Sequence, residues 1–231
     1  MLPLYKSGDK TMFSNHRPIS VLPAMSKILE KLVCNRLNEF CKCNNIISDA
    51  QYGFIRGKST EAALTTFNND VLKAFDNKHF TISTFLDLSK AFDTVSHSIL
   101  LRKLNYYGIR GTAYKWFESY LKDRKQYVEF KRSKSGVLTL LFGVPQGSIL
   151  GPLLFILYIN DLVKSNRLCK TILFADDTTL YASHPNLNTL VPSVNNELSN
   201  VQNWMNANKL TLNTAKTKYI VHHRKKEYLH L

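Results

Sequence analysis

The 231-residue chain is short of acids and glycine, and its few cysteines follow no ordered spacing. Each shortage excludes something. Cys34, Cys41, Cys43 and Cys169 form neither a C-x-x-C pair nor a zinc-finger spacing, so reduced thiols in an intracellular protein are expected. The longest apolar run, residues 149–159, is about half of a membrane span and contains Gly151 and Pro152, so it predicts a core helix and no membrane partner. The opening Met1-Leu2-Pro3-Leu4 lacks the charged-then-apolar pattern of a secretory leader, which predicts residence in the nucleus or cytoplasm rather than secretion.

Acids are outnumbered 17 to 31 by Lys and Arg, giving a net charge of +14. The surplus is uneven. Residues 1–60 carry +5, residues 102–134 carry +7 and residues 210–231 carry +4. Residues 61–101 carry −2, and residues 135–209 are neutral. Basic segments flanking neutral or acidic ones suit a polyanion held beside an acidic metal site, although surplus charge alone identifies no nucleic acid.

What is present is a mixed α and β pattern. Residues 1–18 read as a loop ending at Arg17-Pro18. From Ala24 to Phe40 the apolar positions Ile28, Leu29, Leu32, Val33, Leu37 and Phe40 recur at helical spacing, with Ser26 as a plausible cap. Further helices are expected from Thr60 to Phe75, up to Gly108, over 113–121, over 149–163 and over 187–207. Strands are expected over 80–88, 125–132, 137–142, 209–213 and 216–221. The Gly53–Lys58 loop has three residues between its glycines instead of the four of a P-loop, and no apolar strand precedes it, so a P-loop NTPase is excluded. His222-His223, in a charged tail, is expected to be solvated.

The chemistry-bearing stretch is Ile172-Leu173-Phe174-Ala175-Asp176-Asp177-Thr178-Thr179-Leu180-Tyr181. It predicts a hairpin with two adjacent carboxylates at the tip, whose mutual repulsion a divalent cation would relieve. Alone, an Asp-Asp turn is usually solvated or caps a backbone N–H. A third acid, Asp87, ends the apolar run Phe80–Leu88, where it needs a partner or a metal. Asp93 reads as a turn or cap residue.

Several segments, in order, make the chain similar to reverse transcriptases of non-LTR (LINE-type, jockey-like) retrotransposons. His16-Arg17-Pro18-Ile19-Ser20 and Gly53–Thr60 resemble the finger motifs. Phe85–Asp93, Gly143–Pro152, Phe174–Asp177 and Leu212–Thr217 resemble motifs A, B, C and D. Ile55 stands where many relatives carry a basic residue, which shifts triphosphate contact to Arg56 or Lys58. His16 replaces a common Tyr.

The resemblance implies an α+β, right-hand polymerase fold. Residues 1–80 would be fingers-like and 81–231 palm-like, with an antiparallel palm sheet on helices; the thumb and endonuclease would lie elsewhere in the parent. It implies an RNA-directed DNA polymerase that joins deoxynucleoside triphosphates to a DNA primer on an RNA template, using two Mg²⁺ ions or Mn²⁺. Asp87 and Asp176, with the Leu88 carbonyl, would hold metal and Asp177 would support them. Lys216 or Lys218 would protonate pyrophosphate. Arg17, Arg56 and Lys58 would meet the triphosphate, and Gln146 and Gly147 the nucleotide and template. Phe92 would exclude a 2′-hydroxyl, against the plainer reading of a core Phe. Two other readings stay open: a silent nucleic-acid-binding relic, and a group II intron maturase-like protein.

Overall fold

The computed structural model describes residues 1–131 and 133–223. Where a loop is expected over residues 1–18, a hairpin stands instead. β1 (Leu2–Tyr5) pairs antiparallel with β2 (His16–Ile19), Leu2 opposite Ile19 and Tyr5 opposite His16. Pro18 is tolerated because a two-stranded ribbon is all edge. Then come α1 (Ala24–Cys43), α2 (Thr60–Asp76), β3 (Phe80–Leu86), α3 (His97–Tyr106) and α4 (Gly111–Leu121). Ser59 caps α2 by accepting from the Ala62 N–H. Ser26 does not cap α1, whose N-cap position falls to Pro23 without a side-chain bond.

The strands expected over 125–132 and 137–142 shrink to two-residue pieces: β4 (Lys125–Gln126), β5 (Glu129–Phe130), β6 (Ser133–Lys134) and β7 (Leu138–Thr139). β4 pairs with β7, and β5 with β6. These pieces are largely exposed, and without a buried face there is little to extend or register a ladder. α5 (Gly151–Ile159) is shorter than the expected 149–163 and runs into a 3₁₀ segment, Asn160–Ser165. β8 (Lys170–Phe174), β9 (Asp177–His184), α6 (Leu187–Ala207) and β10 (Lys218–His222) follow. Residues 209–213 form no strand; Leu212 makes only an isolated antiparallel bridge with Leu88.

By its internal contacts the chain groups into two compact units. One comprises Met1–Ile47 and Phe92–Tyr158; the other comprises Ser48–Ala91 and the chain from Ile159 onward. In the first unit, α5 is buried throughout from Leu153 to Tyr158, as its uninterrupted apolar sequence requires. The stripe Ile28, Leu29 and Leu32 on α1 is exposed, contrary to its helical spacing. The buried positions of α1 are Glu30, Leu37 and Cys41. Glu30 is 1% exposed because it serves two donors, the Tyr120 hydroxyl and the Ile149 N–H, each at 2.8 Å.

The second unit is an antiparallel sheet in the order β10-β3-β9-β8, with α2 and α6 packed on it. Ala63, Ile172 and Tyr181 are buried together, with Phe67 and Tyr52 against them. His222 is not solvated as expected. Its ring lies 5.9 Å from that of Phe67, and burial lowers its pKa. Residues 224–231, part of the basic tail, lie outside the described residues. All four cysteines are free thiols, and burial pushes Cys41 and Cys169 up to about 11.

Candidate active site

The register of the sheet assembles the acids. β3 ends at Leu86 opposite Thr178, so the next residue on β3, Asp87, and the preceding one on β9, Asp177, share one end of the sheet. On the other side of β9, Phe174 pairs with Asp177, leaving Ala175 and Asp176 as the hairpin tip. Ala175 adopts φ +55°, a left-handed conformation that a residue with a Cβ enters at a cost. Asp87, 89 residues before Asp176, therefore faces the same region as the hairpin acids rather than another side of the sheet.

The electrostatics agree with that convergence. Partial burial, then the charges of Asp176 and Asp87, raise the Asp177 carboxyl above the usual carboxylate range. The Lys216 ammonium stands 3.9 Å from Asp87 Oδ2. Ser89 N–H donates to Thr211 O and Asn213 N–H to Asp87 O, flanking the Leu88–Leu212 bridge. In that pattern Leu88's own carbonyl is not used by the bridge and remains able to accept elsewhere.

Among the described residues, no three acid, His or Cys side chains form a ready-made cation cluster. The donor set is nevertheless all oxygen, and the repulsion felt at Asp177 is what a divalent cation relieves. A hard cation such as Mg²⁺ often takes one or two carboxylates and completes its octahedron with phosphate and water. This all-oxygen donor set suits a hard divalent cation.

Gln51, which the sequence does not single out, supports the tip together with Gly53 of the finger-motif loop. Gln51 is 1% exposed, and its Oε1 accepts from Gly53 N–H at 2.8 Å and Ala175 N–H at 3.2 Å. A Cβ on Gly53 would meet Ala175 N at 2.3 Å, so only glycine fits there. Beyond this close approach, Arg56 is exposed. Lys58 donates to Asp49 O at 2.6 Å and lies over the Tyr52 ring, so it braces its own loop. Lys218 sits in β10 opposite Phe85.

The first unit holds the remaining expected residues. Ser20 N–H donates to Gln146 O at 2.8 Å, and a Cβ on Gly147, at φ +96°, would lie 3.1 Å from Ser20 O. Gln146 Nε2 donates to Asp93 Oδ1 at 3.0 Å, which orients its side chain. Val144 N–H donates to Phe92 O at 2.8 Å. Arg17 is exposed on β2. Asp93 lies in a single 3₁₀ turn, Ala91–Asp93.

The site thus consists of a four-stranded antiparallel sheet with helices against it and three acids at one end. The chain belongs to the reverse transcriptase family, residues 6–230 matching the family described as Reverse transcriptase (RNA-dependent DNA polymerase). Its relatives come from non-LTR retrotransposons. It is 34% identical over 231 residues to a probable RNA-directed DNA polymerase from transposon BS of Drosophila melanogaster, covering 94% of this chain and 25% of that protein. It is 29% identical over 224 residues to the RNA-directed DNA polymerase from mobile element jockey of the same species, covering 94% and 24%. The chain thus spans about a quarter of the length of these relatives. Among solved structures, apo telomerase from Candida tropicalis superposes with a TM-score of 0.60 at 16% identity, over 88% of this chain and 41% of that one. A telomerase of that species in complex with a fragment of telomeric RNA gives 0.59 at 16% identity, over 86% and 34%. These likenesses establish a shared fold.

Proposed function

We propose that this chain is the polymerising part of an RNA-directed DNA polymerase, which adds deoxynucleotides to a DNA primer 3′-hydroxyl on an RNA template. The observation that carries this reading is the meeting of Asp87, Asp176 and Asp177 at one end of the sheet. The family's description as an RNA-dependent DNA polymerase supports an RNA template, and the relatives' names support DNA as the product.

Asp87, Asp176 and the Leu88 carbonyl would hold Mg²⁺, or Mn²⁺ in its place, with Asp177 adding negative field. Bound metal would supply Lewis acidity at the attacking hydroxyl and neutralise the departing pyrophosphate. Lys216, whose ammonium stands 3.9 Å from Asp87, is the favoured proton donor to the leaving group, with Lys218 on β10 as its competitor. Arg17 and Arg56 meet the triphosphate, while Lys58 acts by bracing the loop. Gln146 and Gly147 contact nucleotide and template, the glycine leaving room for backbone approach. Phe92 lies under the sugar. In this reading residues 1–80 act as fingers and 81–231 as palm, with thumb and endonuclease supplied by other parts of the parent protein, in the nucleus or cytoplasm.

Primer extension on an RNA template with Mg²⁺, run on this chain and on the full-length parent, tests the reading. Extension that Asp176→Ala abolishes while template binding persists supports it. No extension from the intact parent identifies a silent nucleic-acid-binding relic.

A further inference from the structure

We infer that Gln51 is a positioning residue that holds the acid-bearing tip, acting through the Ala175 N–H; this rests on the reading of Asp176 as a metal-holding acid. Residues 50–52 lie along β8 as a short parallel addition. Leu173 N–H donates to Ala50 O and Tyr52 N–H to Leu173 O, both at 2.8 Å, around the Gln51–Leu173 bridge. That backbone pairing carries the Gln51 side chain to the hairpin tip, where its Oε1 takes the Ala175 and Gly53 N–H groups together. Both partners are backbone donors, so only the carboxamide oxygen can face them, and the orientation of the amide is fixed.

Three features separate this from ordinary core packing. First, Gln51 Nε2 is buried with no partner among the described residues, a state that costs stability and that an apolar residue of the same volume would avoid. Second, the N–H it holds belongs to a residue in the left-handed region, where a short tip needs an outside acceptor to stay in one conformation. Third, Gly53 admits the close approach that makes both bonds possible, since a Cβ there would collide with Ala175 N. Gln51 also joins the tip to the start of the loop bearing Arg56. The loop and the backbone of the hairpin tip therefore share one acceptor atom.

The test is amide hydrogen exchange on the chain itself, which requires no catalysis. Gln51→Met keeps the volume and removes the acceptor; Gln51→Glu keeps the acceptor. In Gln51→Met, Ala175 and Gly53 amides are expected to exchange about tenfold faster, the loss of roughly one hydrogen bond. The Leu173 amide, whose acceptor is the Ala50 backbone, should keep its wild-type rate. Gln51→Glu should return Ala175 to near the wild-type rate.

Unchanged Ala175 exchange in Gln51→Met, equal acceleration at Leu173, or no rescue by Gln51→Glu each overturns the assignment. Should Gln51→Met fail to fold, wild-type Ala175 exchanging as freely as an exposed amide overturns it as well. Primer extension is read separately. An active parent whose Gln51→Met variant loses turnover at unchanged nucleotide KM, alongside the exchange effect, supports positioning. An inactive parent with the exchange effect intact removes the polymerase reading but keeps the clamp.

Discussion

Phe92 stands in a single 3₁₀ turn with its ring stacked on Phe155, centroids 4.5 Å apart and planes 23° from parallel. The half-buried ring is thus both a packing element and the proposed sugar gate, and the two roles predict different readouts. Phe92→Val should lower stability by about 2 kcal/mol through lost stacking and volume. If it is the gate, the variant of the active parent also incorporates ribonucleotides more readily relative to deoxynucleotides; an unchanged ratio leaves only the packing role. Asp70 offers a pH test away from the acids. Burial raises its carboxyl, but hydrogen bonds from Lys170 and Tyr181 and the Lys170 charge outweigh this and hold it below the usual range. A carboxyl lowered in the folded state contributes stability above its unfolded pKa and loses it as pH falls through the folded value. The thermal-stability gap between wild type and Asp70→Asn should therefore be full at neutral pH and close in acid below the ordinary carboxylate range. A gap independent of pH would remove this account.

At the scale of the element, α1 shows how periodicity misleads. Its apolar stripe is exposed, while Glu30 is buried because it ties α1 to α4 through Tyr120 and to the loop before α5 through Ile149. Burial, then the Glu30 bond and charge, push Tyr120 up to about 12, so the hydroxyl remains a donor over the working pH range. Glu30→Leu should cost about 2–4 kcal/mol in urea unfolding, since it strands two buried donors. Adding Tyr120→Phe should recover part of that loss, and additive costs would show that the pair does not act as a unit. Longer elements were more legible than short ones. α6 spans Leu187–Ala207 as its pattern predicts, and α2 begins at its Ser59 cap. The β1–β2 hairpin has little apolar alternation to betray it, and β4–β7 are shorter than the strands their sequence suggests.

For the whole molecule, the +14 charge predicts binding to polynucleotides that is steeply salt-dependent. The logarithm of affinity for a primer–template duplex should fall linearly with the logarithm of salt, with a slope of several units if basic side chains each release counterions. Charge reversal within residues 102–134 should flatten that slope; affinity indifferent to salt would exclude backbone tracking. The sequence by itself determined the family, the α and β content and the Asp176-Asp177 hairpin, because motifs and hydrophobic periods are local and written residue by residue. Tertiary structure decided that Asp87 joins that hairpin, since strand register between β3 and β9 depends on packing across some ninety residues. It alone decided that Glu30 is buried and that Gln51 reaches Ala175, because both contacts link groups that chain order keeps far apart.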